Sequence, residues 1–522
     1  MEEYSKQLTE QVLKALFPKV EEKETEGQKL SVHETISRFS FLYERIRNAV
    51  DYKDEHLIRK AAILRILKRL LILEANPEAL AGSLIKELIG ARYLPNGQLP
   101  DTVVKDVALL VQKYQAVARI NAGSERHLEW LRGVLSVEIE ETLVDQTKEK
   151  ALVMFLYERV IGGLRVDGMS MEETERRLQV YVACYRSLIK ADDEMLGYKL
   201  LRAYLPEWLD AQDWLINPRP IAERLVAIER RIKLRLRHKL SQQFLRAIKP
   251  YAVSLGLLRD ALPEDKEQAA ELLNQPDQLA VVLDRTAEER YAKARGKLRR
   301  GTMRAIVYLF FTKMLVALLL EVPLEWLWYK GVNKVALGIN LLFPPLLMFF
   351  VGLLIRVPGP ENTAKLKSGV DDLLSEGVLK IKNIKAPKMR NKMTTFWFTL
   401  AYISTFILSF GLTISVLRTL AFTWLSVAIF IFFLCVVSFF AFRLRTTARE
   451  VVVIEGKQGF FSMLVDFYSF PILRAGKWLS RSINRINVFL FIFDFLFEAP
   501  FKLFLVILEE WFAFMKEKKE EL

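Results

Sequence analysis

Three polar side chains interrupt apolar stretches in the C-terminal half of the sequence, and their types suit chemistry at membrane depth. Lys313 and Glu321 lie in the apolar stretch 305–327, and Asn340 lies in the next one, 335–355. Ionisable residues are costly inside a bilayer, so they often mark substrate pathways or proton relays. On a regular helix, Lys313 and Glu321 project about 80° apart. All three are candidate site residues; the alternatives are snorkelling of Lys313 and a purely structural hydrogen bond from Asn340.

A second set of charged residues lies in the Phe-rich stretch 487–515. Asp494, Glu498 and Lys502 fall within about 80° of one another on a helix, in a single polar stripe. The stripe predicts either a fifth span over 487–511, with its charges facing other helices, or a helix half-buried on the cytoplasmic surface. We favour the surface because a span would export the charged tail KEKKEEL.

The sequence contains no motif of a catalytic or nucleotide-binding site. It lacks Gly-Lys-Ser/Thr, His-Glu-x-x-His, Gly-x-Ser-x-Gly and Gly-x-Gly-x-x-Gly. The two cysteines, Cys184 and Cys435, are too far apart in the sequence to indicate a disulfide framework or a zinc site, and all four histidines precede residue 300. We therefore expect no catalytic residue, no metal ligand and no cofactor, and a protein that is not an enzyme.

Four apolar stretches are long enough to place the polar residues inside a bilayer, which needs about 20 apolar residues per helix. The first two are 305–327 and 335–355. The last two, 396–417 and 420–442, form a hairpin with Arg418 at its tip. The pattern predicts a multi-pass helical membrane protein.

The distribution of charge predicts the orientation. Residues 301–522 are the more apolar part of the chain, yet they carry 26 Lys and Arg against 16 Asp and Glu. Their net charge is therefore +10, out of +14 for the whole chain. These basic residues cluster in the 356–394 loop and after residue 443, and further ones precede the first span. By the positive-inside rule, the N-terminus and these regions face the cytoplasm of a plasma (inner) membrane. The polar start of the sequence does not resemble a secretory signal.

Basic side chains beside the spans are candidate contacts to the anionic lipids of the inner leaflet. In 471–486 they recur every three or four residues opposite an apolar side, which predicts an amphipathic helix in the interface; the alternative is a solvated face of a bundle helix. The candidate lipid-contact residues are Arg295, Lys297, Arg299, Arg300, Lys385, Lys388, Arg390, Arg474, Lys477, Arg481 and Arg485.

The part before the spans is predicted to be mostly helical. Apolar residues recur every three to four positions over 32–73, and the string Phe-Leu-Tyr-Glu-Arg occurs at 41–45 and again at 155–159. These features predict either a helical bundle or an irregular α-solenoid. The basic residues of the predicted helix 224–248 indicate contact with anionic lipid or RNA. The alternative is a solvated basic face on a helix that packs in the core. Nucleic acid is not expected, because no RNA-binding signature accompanies it.

The predicted fold is therefore all-α, with a helical cytoplasmic domain followed by a polytopic membrane domain and C-terminal amphipathic helices. The predicted regions are an N-terminal helix and linker (1–30), the cytoplasmic domain (31–300), spans one and two (301–356), a basic cytoplasmic loop (357–394), a transmembrane hairpin (395–443) and an interfacial region (444–522).

The expected function is interaction. The cytoplasmic domain would act as a scaffold that binds an unknown protein partner at the inner leaflet. The alternative is a small channel, transporter or insertase-like protein that uses Lys313, Glu321 and Asn340 and assembles as a homo-oligomer. An RNA-binding membrane protein is a third hypothesis.

Overall fold

The computed structural model describes residues 6–18, 29–32, 34–47, 55–121, 123–331, 333–355, 358–381, 383–385, 391–448, 460–485, 507, 511 and 514–515. Within these residues the chain is nearly all-α. It divides into two compact units. The N-terminal unit includes Met1–Leu283 and Leu366–Ala386, and the membrane unit includes Asp284–Lys365 and Pro387–Pro500.

Thirteen helices form the first part of the N-terminal unit as it is described. Several begin at side-chain caps: Asn76 accepts a hydrogen bond from Glu78 N, and Asp192 accepts one from Met195 N. The helices are α1 (Lys6–Leu16), α2 (Glu34–Arg47), α3 (Glu55–Leu73), α4 (Pro77–Gly90), α5 (Thr102–Ile120), α6 (Glu125–Leu143), α7 (Thr147–Ile161), α8 (Glu173–Leu188), α9 (Asp193–Tyr204), α10 (Ala211–Trp214), α11 (Arg219–Leu236), α12 (Ser241–Ala261) and α13 (Lys266–Leu273), with a 3₁₀ turn at Pro206–Trp208.

Neighbouring helices of this unit pack through buried aliphatic side chains. Helix α4 packs on α5, α5 and α3 pack on α6, and α8 packs on α12. Leu84, Ile85 and Leu88 of α4 are fully buried, as are Val134 and Val137 of α6. This interior accounts for the three-to-four residue spacing of apolar positions. Whether the helices form a true repeat stays a prediction.

The segment Leu366–Ala386 packs in the N-terminal unit, although it lies between the second and third apolar helices in the sequence. It contains the end of helix α17 (Pro360–Leu374) and the strand β2 (Ile384–Lys385), which pairs in parallel with β1 (Val166–Asp167). The sequence predicts only a basic loop over 357–394. The structure places a helix and a strand within it.

Arg159 of α7 holds this segment. Its guanidinium donates hydrogen bonds of 2.9–3.1 Å to four backbone carbonyls at and beyond the end of α17. The last carbonyls of a helix have no intrahelical donors, so a guanidinium suits them. Nearby, a Cβ on Gly163 would overlap the Leu379 carbonyl, so only glycine permits this approach. The carbonyls bonded by Arg159 belong to Asp372, Leu373, Ser375 and Gly377.

The membrane unit contains four helices that are long and apolar enough to cross a bilayer, which confirms the four predicted spans by length and composition. Lys392–Thr419 and Trp424–Phe442 form the predicted hairpin, and Arg418 lies beside the turn between them. The helices are α14 (Pro276–Val316), a π-helical turn (Ala317–Glu321), α15 (Val322–Tyr329), α16 (Lys334–Leu354), α18 (Lys392–Thr419), α19 (Trp424–Ala448) and α20 (Phe460–Arg485).

Helices α16, α18, α19 and α20 share one apolar core. It includes Ala336, Leu417, Phe430 and Ile472, and a Cβ on Gly476 of α20 would overlap the backbone of α19 at Cys435. Helix α20 begins eleven residues before the predicted amphipathic stretch 471–486. The placement of that stretch at a bilayer surface stays a prediction.

Candidate intramembrane polar site

The first apolar helix is continuous from Pro276 to Tyr329 but widens over one turn. Its residues Ala317–Glu321 are π-helical, and Pro323 follows two residues later. Proline has no N–H to donate, and its ring displaces the carbonyl four residues earlier, here that of Leu319. The regular hydrogen-bond ladder cannot continue through this point, so Pro323 accounts for the widened turn.

The wide turn changes which side chains share a face. A π-helical turn adds about one residue to the regular helix. The eight-residue spacing of Lys313 and Glu321 then acts as a spacing of seven, which leaves the two about 20° apart instead of about 80°. Without the π turn, the two charges would lie about 80° apart around the helix, too far for the direct alignment that the structure shows.

Lys313 and Glu321 form an ion pair inside the membrane unit. Lys313 Nζ lies 3.1 Å from Glu321 Oε2, and both side chains are fully buried. The ammonium also lies 4.7 Å from the ring centre of Phe433 on α19, a cation–π distance. Lys313 therefore does not reach the interface by snorkelling.

Asn340 of α16 joins this pair. Its Nδ2 donates to Glu321 Oε1 and lies 3.4 Å from the Ser426 carbonyl, while its Oδ1 is buried with no hydrogen-bond partner among the described residues. Pro344, four residues later, has no N–H for the Asn340 carbonyl. Asn340 thus contributes an unmatched acceptor to the site.

Glu325, Ser426 and Thr423 complete the cluster, and sequence reasoning missed all three. Ser426 Oγ lies 2.9 Å from Glu321 Oε1 and 2.6 Å from Glu325 Oε1, and Thr423 Oγ1 lies 2.6 Å from the same Glu325 oxygen. Thr423 also caps α19, because its Oγ1 accepts a hydrogen bond from Ser426 N at 3.1 Å. Glu325 and Ser426 are each about 1% exposed.

The cluster therefore gathers side chains from the first span, α16 and α19. It contains one ammonium and two carboxyl groups in a region bounded by apolar helix faces. The three predicted candidates, Lys313, Glu321 and Asn340, meet in it. Glu325 could have been found from its four-residue spacing to Glu321, which places both on one helix face.

The predicted lipid-contact residues are not tested by this geometry. Arg295, Lys297, Arg299 and Arg300 are exposed on α14, and Lys385 is exposed on β2. Arg474 and Lys477 are exposed on α20, where Arg474 also stacks 5.1 Å from the Tyr402 ring centre. Arg481 and Arg485 belong to the same helix, but their side chains are outside the described residues. Also outside the described residues are Lys388, Arg390, Asp494, Glu498 and Lys502.

The N-terminal unit has its own buried ion pair. Lys113 Nζ of α5 lies 2.5 Å from Glu138 Oε1 of α6 and 4.7 Å from the ring centre of Trp208. Tyr114 and the Trp208 indole donate to the other carboxylate oxygen at 2.7 and 3.1 Å. Burial lowers the pKa of Lys113, although Glu138 acts in the opposite direction.

The structure divides the predicted basic helix 224–248 between α11 and α12, and α11 uses much of its charge within the N-terminal unit. Lys233 pairs with Glu229, Arg235 with Glu175, and Arg224 Nη1 lies 3.1 Å from Glu207 Oε1. Glu229 also binds His127. These contacts favour a structural role for α11 over RNA binding.

Among the described residues, no group of three or more His, Cys, Asp and Glu side chains could hold a metal ion. No protein-family model matches the chain, and no curated protein or solved structure matches it either. The polar cluster and the two units themselves are therefore the features that bear on function.

Proposed function

We propose that the protein is a membrane transporter or channel that moves protons, or a small polar solute, through the cluster around Lys313, Glu321 and Asn340. The main observation in support is that these residues meet Glu325 and Ser426 in one buried site. Carboxyl groups at membrane depth are typical of ion and proton pathways.

A purely structural role explains less of this arrangement. Helices pack in membranes through small residues and single hydrogen bonds, which are worth only about 0.6 kcal/mol on average. The cluster instead includes two carboxyl groups for one ammonium, and an Asn340 acceptor without a partner among the described residues. It also lies beside a π-helical turn, a feature that often marks functional sites.

The orientation belongs to the same proposal. The N-terminal unit contains chain from before the first span and from after the second, at Leu366–Ala386. A folded soluble body lies on one side of a bilayer, so an even number of crossings must separate these two parts. Spans one and two supply that number, and the basic residues beside them favour the cytoplasmic side of a plasma membrane. The described residues supply four spans, and assembly as a homo-oligomer would add further helices around the pathway through the cluster.

The test is proton flux into lipid vesicles that contain the purified full chain, followed with a pH-sensitive dye under an imposed potential. The double variant Lys313→Leu plus Glu321→Leu removes both charges without leaving one unpaired. We expect at least tenfold lower flux. The control is Thr399→Val plus Ser404→Ala, which removes two exposed hydroxyls of α18. Unchanged flux in the charge-free variant would refute the proposal for protons, and the same vesicles then test small polar solutes.

A scaffold at the inner leaflet is the second candidate function. It is supported by large apolar side chains exposed on the N-terminal unit: Ile72, Leu73 and Ile216 are 85%, 72% and 93% exposed. Such residues suit a protein partner. The basic residues Arg295, Lys297, Arg299 and Arg300 would hold this unit near anionic lipid. Under this function, the charge-free double variant keeps its localisation and partner capture even if flux is lost.

A further inference from the structure

We infer that Glu325 is protonated and is the proton-binding residue of the cluster, linked through the Ser426 hydroxyl to Glu321. The role of this proton in transport rests on the proposed function. The protonation itself rests only on counting hydrogen bonds and charges in the cluster.

The count begins at Ser426. Its Oγ lies within hydrogen-bond distance of Glu321 Oε1 and of Glu325 Oε1, at 2.9 and 2.6 Å. A serine hydroxyl carries one proton, so it can point directly at only one of these oxygens. The contact with the other oxygen is a full hydrogen bond only if that carboxyl group supplies the proton. A carboxylate has no proton to donate. One of the two glutamates is therefore a carboxylic acid.

The partners of each carboxyl group identify which one carries the proton. Glu321 receives donors from the Lys313 ammonium and the Asn340 amide, in addition to the Ser426 contact. These donors stabilise a negative charge. Glu325 has only Thr423 and Ser426 as hydrogen-bond partners in the described part of the chain. The proton belongs on Glu325, which donates to Ser426, and Ser426 donates in turn to Glu321.

The charges lead to the same assignment. On the first span, the cluster contains Lys313, Glu321 and Glu325; α16 contributes Asn340, and α19 contributes Thr423, Ser426 and the Phe433 ring. Arg418 lies near Thr423 in the chain, but its side chain is exposed and donates to the Phe422 carbonyl, so it pairs with neither carboxyl group. Two carboxylates and one ammonium would leave a net negative charge in an apolar surrounding. One proton makes the cluster neutral, which is the less costly state.

The same contacts describe one transfer step. The Glu325 proton passes to Ser426 Oγ while the Ser426 hydroxyl proton passes to Glu321 Oε1, so two O–H bonds break and two form. The negative charge moves from Glu321 to Glu325, and Lys313 loses its counter-ion. The unmatched Asn340 Oδ1 can accept a hydrogen bond from a water molecule or solute that enters at this stage. Of the three cluster residues on the first span, Glu325 lies nearest the end of α15, four residues before it.

The test is infrared spectroscopy of the full chain in lipid vesicles at pH 8, where exposed carboxyl groups are ionised. We expect a protonated carboxylic-acid carbonyl band that shifts on ¹³C-glutamate labelling. Glu325→Gln should remove this band. Ser426→Ala should change its frequency because the acid loses its acceptor. The matched Ser404→Ala, on an exposed part of α18, should leave the band unchanged.

Two outcomes would overturn the inference: no acid band at pH 8, or a band removed by Glu321→Gln and kept in Glu325→Gln. If Glu325→Gln does not fold, the frequency change in Ser426→Ala decides, and an unchanged frequency refutes the link. The band is independent of flux. An intact band with no flux through the protein would refute the proposed function and leave the protonation of Glu325 standing.

Discussion

The buried clusters around Lys113 and Lys313 are built alike but balanced differently. In each, a lysine meets a glutamate and lies 4.7 Å from an aromatic ring centre, at Trp208 for Lys113 and at Phe433 for Lys313. In the N-terminal unit, both carboxylate oxygens of Glu138 accept hydrogen bonds, and the single negative charge of Glu138 is matched by the single ammonium of Lys113. The membrane cluster has a second carboxyl group and an unmatched amide oxygen among the described residues. A balanced cluster stabilises one state, whereas an unbalanced one can exchange a proton.

The largest effect should come from removing the lysine of the balanced cluster. Lys113→Met leaves Glu138 buried without a counter-ion, and breaking a buried ion pair costs about 3–5 kcal/mol. Lys313→Met should cost only about 1–2 kcal/mol, because Glu321 can take up a proton in a cluster that already holds one. Hydrogen exchange of the full chain in vesicles measures both losses of stability. The amides of α5 and α6 report on Lys113→Met, and those of the first span report on Lys313→Met.

The control for this comparison adds Glu138→Gln to Lys113→Met. The amide keeps an oxygen for Tyr114 and Trp208, so more than half of the lost stability should return. Equal losses for Lys113→Met and Lys313→Met would remove the proposed distinction between the clusters.

An intermediate effect should come from pH at Lys199 of the N-terminal unit. Burial lowers the pKa of Lys199 to about 8, although Glu141 pairs with it and acts in the opposite direction. Between pH 8 and the unfolded value of 10.5, the unfolded chain binds more protons than the native one at this site. Its contribution to the unfolding free energy should therefore rise with pH across this window, by up to about 3 kcal/mol.

Lys199→Met should lack this rise, and Lys68→Met should keep it because Lys68 is a partly exposed surface lysine. The measurement is hydrogen exchange of α9 amides between pH 7.5 and 10.5, corrected for the intrinsic pH dependence of exchange. The same slope in Lys199→Met and in the unchanged protein would contradict the assignment.

The smallest effect compares two helix caps. Asn76 caps α4 in the N-terminal unit, and Thr423 caps α19 in the membrane unit. Replacing either residue by alanine should cost about 1 kcal/mol, as is usual for a cap. Only Thr423→Ala should also lower proton flux several-fold, because Thr423 donates to Glu325. Equal flux in both variants would make Thr423 a cap and nothing more.

The sequence predicted the four apolar helices, the hairpin and the three side chains Lys313, Glu321 and Asn340, because each leaves a local signal. It could not predict that they meet. On a regular helix Lys313 and Glu321 are about 80° apart, and only the π turn before Pro323 aligns them. Ser426 and Thr423 gave no signal, because hydroxyl residues are common in apolar helices and only tertiary contact distinguishes these two.

The place of Leu366–Ala386 was equally hidden. Its composition indicates a basic loop. Composition carries no information about a contact with Arg159, which lies more than 200 residues earlier in the chain. Two contacts hold this segment: the Arg159 guanidinium donates to its backbone carbonyls, and its backbone packs closely against Gly163. Neither contact produces a pattern along the chain.

That docked segment also sets an order of events during synthesis. The helices up to Leu283 leave the ribosome first, but the surface at Arg159 and Gly163 stays uncovered until Leu366–Ala386 arrives. The intervening Asp284–Lys365 takes roughly 4–16 s to translate at about 5–20 residues per second. In the proposed orientation, the first two spans enter the bilayer during this interval and return to the side on which they began. In that orientation, the N-terminal unit can be completed only after the first two spans have been inserted.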